Sequence, residues 1–264
     1  MPPPQAGTPE RSHRMQQFQI FPFYFYGLLN QAERRRLAPA LQPLVTSTVL
    51  TPALHPGEGL VPDYENFARK DISMQLILAS ASPRRRELLG LFQIPFAIRA
   101  ADIDETMDPA KAPFDEVARV SRAKALAVPR AETDIVIAAD TIVVCGGKVL
   151  GKPHSEAEAA DMLTLLSGRD HQVMTGCTVL RGDRCETFTE VTDLHFRPLS
   201  QKEIEKYVAT GEPMDKAGAY GIQGGAALFC ERMAGDYYNV MGLPVCRLGQ
   251  TLRAVAPEVM EDTL

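Results

Sequence analysis

Short apolar runs alternate with amphipathic segments along the chain from residue 76 onwards. The run 76–79 has the length of a strand, and Ser82 followed by Pro83 is typical of a helix N-cap and first helical residue. A strand is therefore predicted to lead directly into a helix. Residues 96–100 predict a second strand, and the acidic sequence DIDET follows as a loop.

The segment 114–128 has the periodicity of an amphipathic helix, and Lys124 would lie close to its buried stripe. The run 134–145 predicts a long buried strand, with residues 146–149 as a hairpin turn. In the predicted helix 114–128, the apolar positions recur every three to four residues: Val117, Val120, Ala123, and then Leu126 or Ala127.

The later part of the chain contains further helices and strands. Residues 155–167 are predicted to be helical, and residues 200–210 form another helix that begins at Ser200. Two β-rich stretches, 170–181 and 185–196, flank the sequence RGDR and predict an antiparallel hairpin. This mixture of alternating and hairpin-joined strands predicts an α/β fold with a mixed sheet and flanking helices.

Arg84, Arg85 and Arg86 stand at the predicted start of the first helix. The start of a helix carries partial positive charge and exposed N–H groups, so arginines are mildly repelled there. One interpretation is that the guanidinium groups simply bend outward into water. The other is that an anion binds at the helix start, held by the N–H groups and the arginines together, and a phosphate chain suits that arrangement.

The composition limits the classes of partner. The chain has 264 residues, 45% hydrophobic and 23% charged, which predicts one main globular domain. The formal net charge of -5 gives no general attraction to nucleic acid or to an anionic membrane, so neither is expected as a partner. The odd number of cysteines and the lack of a C-x-x-C pair predict reduced thiols of a cytosolic protein, with no zinc site: Cys145, Cys177, Cys185, Cys230 and Cys246.

The first 73 residues differ from the rest in composition. Ten of the twenty prolines lie within residues 1–62, where they disfavour helices and strands. We expect residues 1–73 to be either a Pro-rich disordered extension or an artefact of start-codon choice, since Met74 directly precedes the first strand, and residues 74–264 to form the domain. The apolar segment 18–30 is interrupted by Pro22 and is too short to span a bilayer.

Two acidic positions are candidates for chemistry. Asp140 stands inside the apolar run IVIAADTIVV, where an ionised carboxylate is costly unless it is paired, hydrogen-bonded or metal-bound. Glu105 lies in the acidic loop with Asp102 and Asp104. A strand-end Asp satisfied by backbone N–H groups and a solvated loop are the simpler interpretations. If Glu105 and Asp140 converge, they form a carboxylate site of the type that Mg²⁺ prefers, and they could orient or deprotonate a water.

Lys152 and Gln223 are candidates for contacting a nucleotide. Lys152 lies in GKP just after the hairpin, where it is either solvated or placed to reach a phosphate; the Walker A pattern is absent. Gln223 lies between glycines in AYGIQGG, which is either a plain turn or a close approach to a ligand. Its amide is complementary to the edge of thymine or uracil. The five histidines show no ligand spacing, which disfavours a histidine-based hydrolase.

Several motifs together resemble one family, the Maf-type nucleoside triphosphate pyrophosphatases. They follow in order over about residues 74–256: SASPRR (80–85), DIDE (102–105), AADTIV (138–143), GKP (151–153), LSGRDHQVMTG (166–176) and DKAGAYGIQG (215–224). The resemblance implies an inosine-triphosphatase-like α/β fold with two lobes around a central cleft. It also implies hydrolysis between the α and β phosphates, with a divalent cation, Mg²⁺ or Mn²⁺, as cofactor.

The resemblance also implies a subgroup and roles for individual residues. The dTTP/UTP group has the SPRR form, a Thr after the catalytic Asp and a Gln before the late Gly, matched here by Arg84, Thr141 and Gln223 as specificity residues; relatives acting on 7-methyl-GTP tend to have Trp in place of the first Arg. Asp140 resembles the catalytic proton acceptor and Glu105 a metal or water ligand. The phosphate-binding set is implied to be Ser80, Arg84, Arg85, Lys124 and Lys152.

Two functions fit these residues. The first is a cytoplasmic enzyme that removes unwanted pyrimidine triphosphates, with a homodimer as the family expectation. The second is a nucleotide-sensing regulator of cell division and septum formation in which catalysis is incidental. Glu105 and Asp140 favour the enzyme, because a pure binder of anions gains little from carboxylates near phosphates without a metal.

Overall fold

A computed structural model describes residues 74–261 and 263. The predicted extension 1–73, with its apolar segment 18–30, lies outside the described residues, so its state remains a prediction. Within the described part, no helix combines the length and apolarity that crossing a bilayer requires.

The described residues form a seven-stranded mixed sheet with the order β2-β1-β3-β5-β6-β7, and β4 pairs with β3. β1 pairs in parallel with both β2 and β3, whereas the other pairs are antiparallel. The α/β prediction with a mixed sheet is therefore confirmed. The strands are β1 (Leu76–Leu78), β2 (Phe96–Ile98), β3 (Ile135–Cys145), β4 (Lys148–Leu150), β5 (Asp170–Arg181), β6 (Arg184–Phe196) and β7 (Cys230–Ala234).

Helices flank this sheet, and the helices predicted to start near residues 83, 114, 155 and 200 are confirmed. Ser82 caps the first by accepting from the Arg85 N–H, and Ser200 forms a capping box with Glu203 in the fourth. The helices are α1 (Pro83–Gly90), α2 (Pro113–Ala127), α3 (Glu156–Leu166), α4 (Gln201–Val208), α5 (Tyr237–Met241) and α6 (Val245–Val255). Short 3-10 turns occupy Glu212–Asp215, Ala217–Ala219, Gly225–Leu228 and Pro257–Met260. Neither β7 nor any element after it was predicted from the sequence.

The long strand β3 changes partner along one edge. Its first residues pair with β1, as far as Leu78 opposite Ile137. Its last residues pair with β4, starting with Val143 opposite Leu150. The middle of β3, which contains Asp140, has neither partner on that edge. The segments that follow β1 and β4 therefore lead away from an opening in the sheet next to Asp140.

Helix α2 packs closely on the face of the sheet that carries Asp140. Side chains alternate between faces along a strand, so Asp140 shares its face with Val136 and Ala138, which pack with Ala125 of α2. Gly176 of β5, the register partner of Asp140, allows this approach. A Cβ at Gly176 would lie 2.3 Å from the Val117 carbonyl oxygen of α2, which no real Cβ tolerates.

Candidate active site

A cleft of about 850 Å³ lies at the opening between β1 and β4. Arg84 and Arg85 line this cleft, whereas Arg86, which follows them in the sequence, is exposed and does not line the cleft. All nine site residues predicted from the sequence contribute to the wall of this one cleft: Ser80, Arg84, Arg85, Glu105, Lys124, Asp140, Thr141, Lys152 and Gln223.

A buried ammonium joins the two predicted carboxylates. Lys124 Nζ lies 2.8 Å from Asp140 Oδ1 and 2.8 Å from Glu105 Oε2. The Lys124 side chain is 8% exposed and that of Asp140 is 12% exposed, whereas that of Glu105 is 54% exposed. The cost of placing Asp140 in an apolar strand is thus offset by a paired cation. Lys124 reaches Asp140 because α2 crosses the same face of β3.

Arg85 is fixed in the cleft by three hydrogen bonds to the protein. Its Nη1 donates to Ser80 Oγ at 3.2 Å, its Nη2 to Thr141 Oγ1 at 2.9 Å, and its Nε to the Gly242 carbonyl at 2.9 Å. Burial lowers the pKa of Arg85, and the charge of Asp140 partly restores it. A guanidinium is not deprotonated in proteins, so Arg85 stays charged at neutral pH. Its remaining N–H groups can donate to a phosphate.

Arg84 takes a different partner from its neighbour. Its Nη1 donates to Asp215 Oδ2 at 3.1 Å, and the other oxygen of Asp215 accepts from Lys216 Nζ at 2.7 Å. The Arg84 and Asp215 side chains are 29% and 62% exposed, so this contact lies at a solvated part of the cleft wall. A surface ion pair of this kind contributes little stability and is readily exchanged for an incoming anion.

Ser80, Lys152 and Gln223 line the cleft with groups that a ligand can use. Ser80 Oγ accepts from the Arg85 side chain and from the Ser82 N–H at 3.2 Å, which leaves its hydroxyl hydrogen to donate. Lys152 and Gln223 are exposed, and neither side chain has a hydrogen-bond partner among the residues that the structure describes. The cleft therefore presents cations near the start of α1 and after β4, and an amide in the glycine-rich segment.

The carboxylates of Glu105 and Asp140 are the candidate ligands for the divalent cation that the resemblance implies. Across residues 74–261 and 263, no group of three or more His, Cys, Asp and Glu side chains is placed to hold a metal ion. Glu105 and Asp140 each use one oxygen for Lys124. Mg²⁺ commonly takes only one or two carboxylates and fills its octahedron with water and substrate phosphates. Glu105 and Asp140 therefore fit such an ion when a phosphate chain supplies further oxygens.

Several residues that shape the site have no role predicted from the sequence. Asp215 and Lys216 lie within the recognised motif DKAGAYGIQG, yet only Gln223 of that motif received a role. Thr175 supports the site from β5, since its hydroxyl lies 3.0 Å from that of Thr141 and donates to the Asn239 carbonyl at 3.1 Å. Thr175 lies near the end of the motif LSGRDHQVMTG, and its place in that motif was the sequence signal that could have indicated a role.

The chain is similar in sequence to members of one protein family. The family model described as Maf-like protein matches residues 75–255. A protein of Bacillus cereus (strain AH187) named dTTP/UTP pyrophosphatase is 47% identical over 68% of this chain and 94% of its own length. A protein of Symbiobacterium thermophilum with the same name is 54% identical over 67% of this chain and 92% of its own length. The solved structure of a HAM1 protein from Coxiella burnetii is 13% identical, with a TM-score of 0.39, and covers 69% of this chain and 100% of its own.

Proposed function

The chain belongs to the Maf-like protein family, and from this premise we propose that it hydrolyses dTTP and UTP to the nucleoside monophosphate and pyrophosphate. The relatives that are 47% and 54% identical carry the name dTTP/UTP pyrophosphatase. The observation that carries the proposal is the ammonium of Lys124 shared at 2.8 Å by Glu105 and Asp140, in a cleft that also holds Arg84, Arg85 and other cationic groups.

Asp140 is the proposed proton acceptor for the attacking water. Lys124 holds one of its oxygens and so fixes the direction of the other, which is what general-base catalysis requires of a carboxylate. The apolar residues around Asp140 on β3 limit the access of bulk water to it. Removal of the proton makes the water nucleophilic at the α phosphate, and the bond to the β phosphate then breaks.

The cations of the cleft are proposed to bind the phosphate chain. Arg85, together with the hydroxyl of Ser80, is fixed before substrate arrives, whereas Arg84 exchanges Asp215 for a phosphate oxygen. Lys152 reaches the chain from the segment after β4. Negative charge grows on pyrophosphate as it leaves, so charge-assisted bonds that tighten on it lower the barrier. The phosphates of the substrate thus supply the negative charge that balances the arginines at the start of α1.

A divalent cation, Mg²⁺ or Mn²⁺, is proposed as cofactor, with Glu105 and Asp140 as its protein ligands. When bound, it would neutralise charge on the phosphate oxygens and polarise the reacting phosphoryl group. Gln223 is proposed to read the pyrimidine edge, and Thr141 to influence selection through Arg85, with which it is hydrogen-bonded. A cytoplasmic location and a homodimer stay predictions from the family resemblance.

The proposal is tested by incubating the full-length protein with canonical and modified triphosphates and assaying monophosphate and pyrophosphate. We expect dTTP and UTP to give both products, and a chelator to abolish turnover. Release of inorganic phosphate instead of pyrophosphate would contradict the proposed cleavage position. The alternative of a regulator with incidental catalysis has less support, since the relatives are named as enzymes. It predicts that an Asp140→Asn protein keeps its cellular effect.

A further inference from the structure

The segment 221–225, which carries Gln223, needs external support to present a side chain in a fixed direction. Gly221, Gly224 and Gly225 make its backbone more adaptable than that of other residue types. A hydrogen bond from the Gly224 N–H to the Gly221 carbonyl, at 3.0 Å, closes the turn but does not attach it to the rest of the protein. An amide that discriminates between bases has to be held in place by neighbouring groups.

Tyr207 of α4 and Glu212 of the following 3-10 turn attach both ends of this segment to the protein. The Gly221 N–H donates to the Tyr207 hydroxyl at 3.0 Å, and that hydroxyl donates to Glu212 Oε1 at 2.9 Å. Glu212 Oε2 accepts from the Gly225 N–H at 3.1 Å. The first and last residues of the segment are therefore connected to a single carboxylate.

The packing around this carboxylate is close. A Cβ at Gly224 would lie 2.1 Å from Glu212 Oε1, so the backbone can close on the carboxylate only because residue 224 is glycine. Tyr207 is 5% exposed, and its ring packs edge-on against Phe229 with centroids 5.1 Å apart. Burial raises the pKa of the Tyr207 phenol, and Glu212 raises it further, so the hydroxyl remains a donor at neutral pH.

We propose that Tyr207 and Glu212 are positioning residues for base selection, whose hydrogen-bonded pair holds Gln223 against the edge of a thymine or uracil. The inference rests on the proposed function. Neither Tyr207 nor Glu212 lines the cleft, so both act through the segment 221–225. The proposed phosphate contacts come instead from the start of α1 and the segment after β4. Loosening the pair weakens the reading of the base and leaves the binding of the phosphate chain intact.

The test uses two variants of the full chain. Tyr207→Phe removes only the hydroxyl, and Glu212→Gln keeps the shape but replaces one acceptor by a donor. Glu205→Gln is the matched control, because Glu205 is exposed on α4. For each protein, kcat and KM are measured with UTP, dTTP and CTP, and Ki with inorganic tripolyphosphate, which has phosphates but no base. CTP presents a different donor and acceptor pattern at the same edge.

We expect Tyr207→Phe and Glu212→Gln to raise KM for UTP and dTTP by about tenfold and to reduce the preference for UTP over CTP. Ki for tripolyphosphate should stay within about twofold of the wild-type value, and Glu205→Gln should behave as wild type. Gln223→Ala should reproduce the loss of preference, and combining it with Tyr207→Phe should add little, as expected for residues that act as one unit.

Two results would overturn the inference. One is an unchanged KM and base preference in folded Tyr207→Phe protein; the other is a rise of the tripolyphosphate Ki in parallel with KM, which indicates general damage to the cleft. The proposed function fails in a different way, since wild-type protein would then hydrolyse neither UTP nor dTTP.

Discussion

Arg85 donates a hydrogen bond from Nη2 to the Thr141 hydroxyl at 2.9 Å, although the two residues are 56 positions apart in the chain. The contact joins the first turn of α1 to the middle of β3. Thr141 in turn lies 3.0 Å, hydroxyl to hydroxyl, from Thr175 on β5. The guanidinium at the start of α1 is therefore held by the sheet before any substrate binds, which reduces the ordering needed when a phosphate arrives.

Thr141→Val is expected to disturb this arrangement without changing the volume of the side chain much. The Arg85 Nη2 loses its acceptor in a half-buried site, so we expect a loss of about 1–2 kcal/mol in the free energy of unfolding. A fall in kcat/KM for both dTTP and UTP should accompany it. Urea denaturation and steady-state kinetics measure the two effects. Thr164→Val on the exposed side of α3 is the control, and equal effects of both substitutions would refute the special role of Thr141.

Asp140→Asn should lower turnover strongly while nucleotide binding survives. The amide keeps the shape of the side chain and an acceptor for Lys124, but it cannot take a proton from water. We expect kcat to fall by about 100- to 10,000-fold, the range typical of a lost general base. Pyrophosphate release measures turnover, and calorimetric titration with UTP measures binding. Asp161→Asn, exposed on α3, should leave both unchanged. An Asp140→Asn enzyme with near-normal kcat would exclude Asp140 as the proton acceptor.

Arg84→Ala and Arg86→Ala form a matched pair within one helical turn. Arg84 lines the cleft, whereas Arg86 is exposed outside it. A charge-assisted hydrogen bond to phosphate contributes about 1.5–3 kcal/mol, so Arg84→Ala should lower kcat/KM by roughly 10- to 100-fold. Arg86→Ala should lower it by less than about twofold. Initial rates at low UTP concentration give the comparison directly, and similar losses in both variants would mean that only the general charge of the helix matters.

His171 makes the stability of the domain sensitive to acid. It is 3% exposed, its Nε2 lies 3.0 Å from the Tyr220 hydroxyl, and burial lowers its pKa from 6.5 to about 4. A folded-state pKa below the unfolded value means that the unfolded chain binds the proton more readily. The contribution of His171 to stability is thus lost as pH falls from about 6.5 towards 4. At pH 4.5 the free energy of unfolding is expected to be lower by about 2–3 kcal/mol than at neutral pH because of this residue.

The His171 effect is measured by urea denaturation at pH 7 and pH 4.5. His171→Phe should lower stability at pH 7, because Tyr220 loses its partner, but its further loss at pH 4.5 should be smaller than that of the wild type by about 2–3 kcal/mol. His154→Gln, at an exposed position, should keep the wild-type pH dependence. The same acid loss in His171→Phe and in the wild type would show that other groups cause it.

The local sequence pattern was sufficient to predict most of the helices and strands up to residue 210. The cap at Ser82, the capping box at Ser200 and the hairpins around Gly146–Gly147 and Gly182–Asp183 depend on neighbouring residues, so their sequences specify them. β7 was not predicted, because its residues are exposed or half-buried and show no strict alternation. α5 has five residues, too few to display a helical period.

The residue types of the site were also evident from the sequence, through motifs that resemble one family. What the sequence did not determine was which of them touch. Asp215 is 131 positions from Arg84, and no local pattern indicated that the two form an ion pair. Nor did any pattern indicate that Tyr207 and Glu212 hold the segment of Gln223.

The sequence by itself determined the chain's periodicities, its turns and the identities of its charged groups, because these depend on backbone geometry within a few residues. Only the tertiary structure decided that Glu105, Lys124 and Asp140 meet at 2.8 Å. That meeting depends on β3 changing partner from β1 to β4 beside Asp140, and on α2 lying close to β5 at Gly176. Both are relationships between segments tens of residues apart, which packing and strand register fix, and local propensity does not.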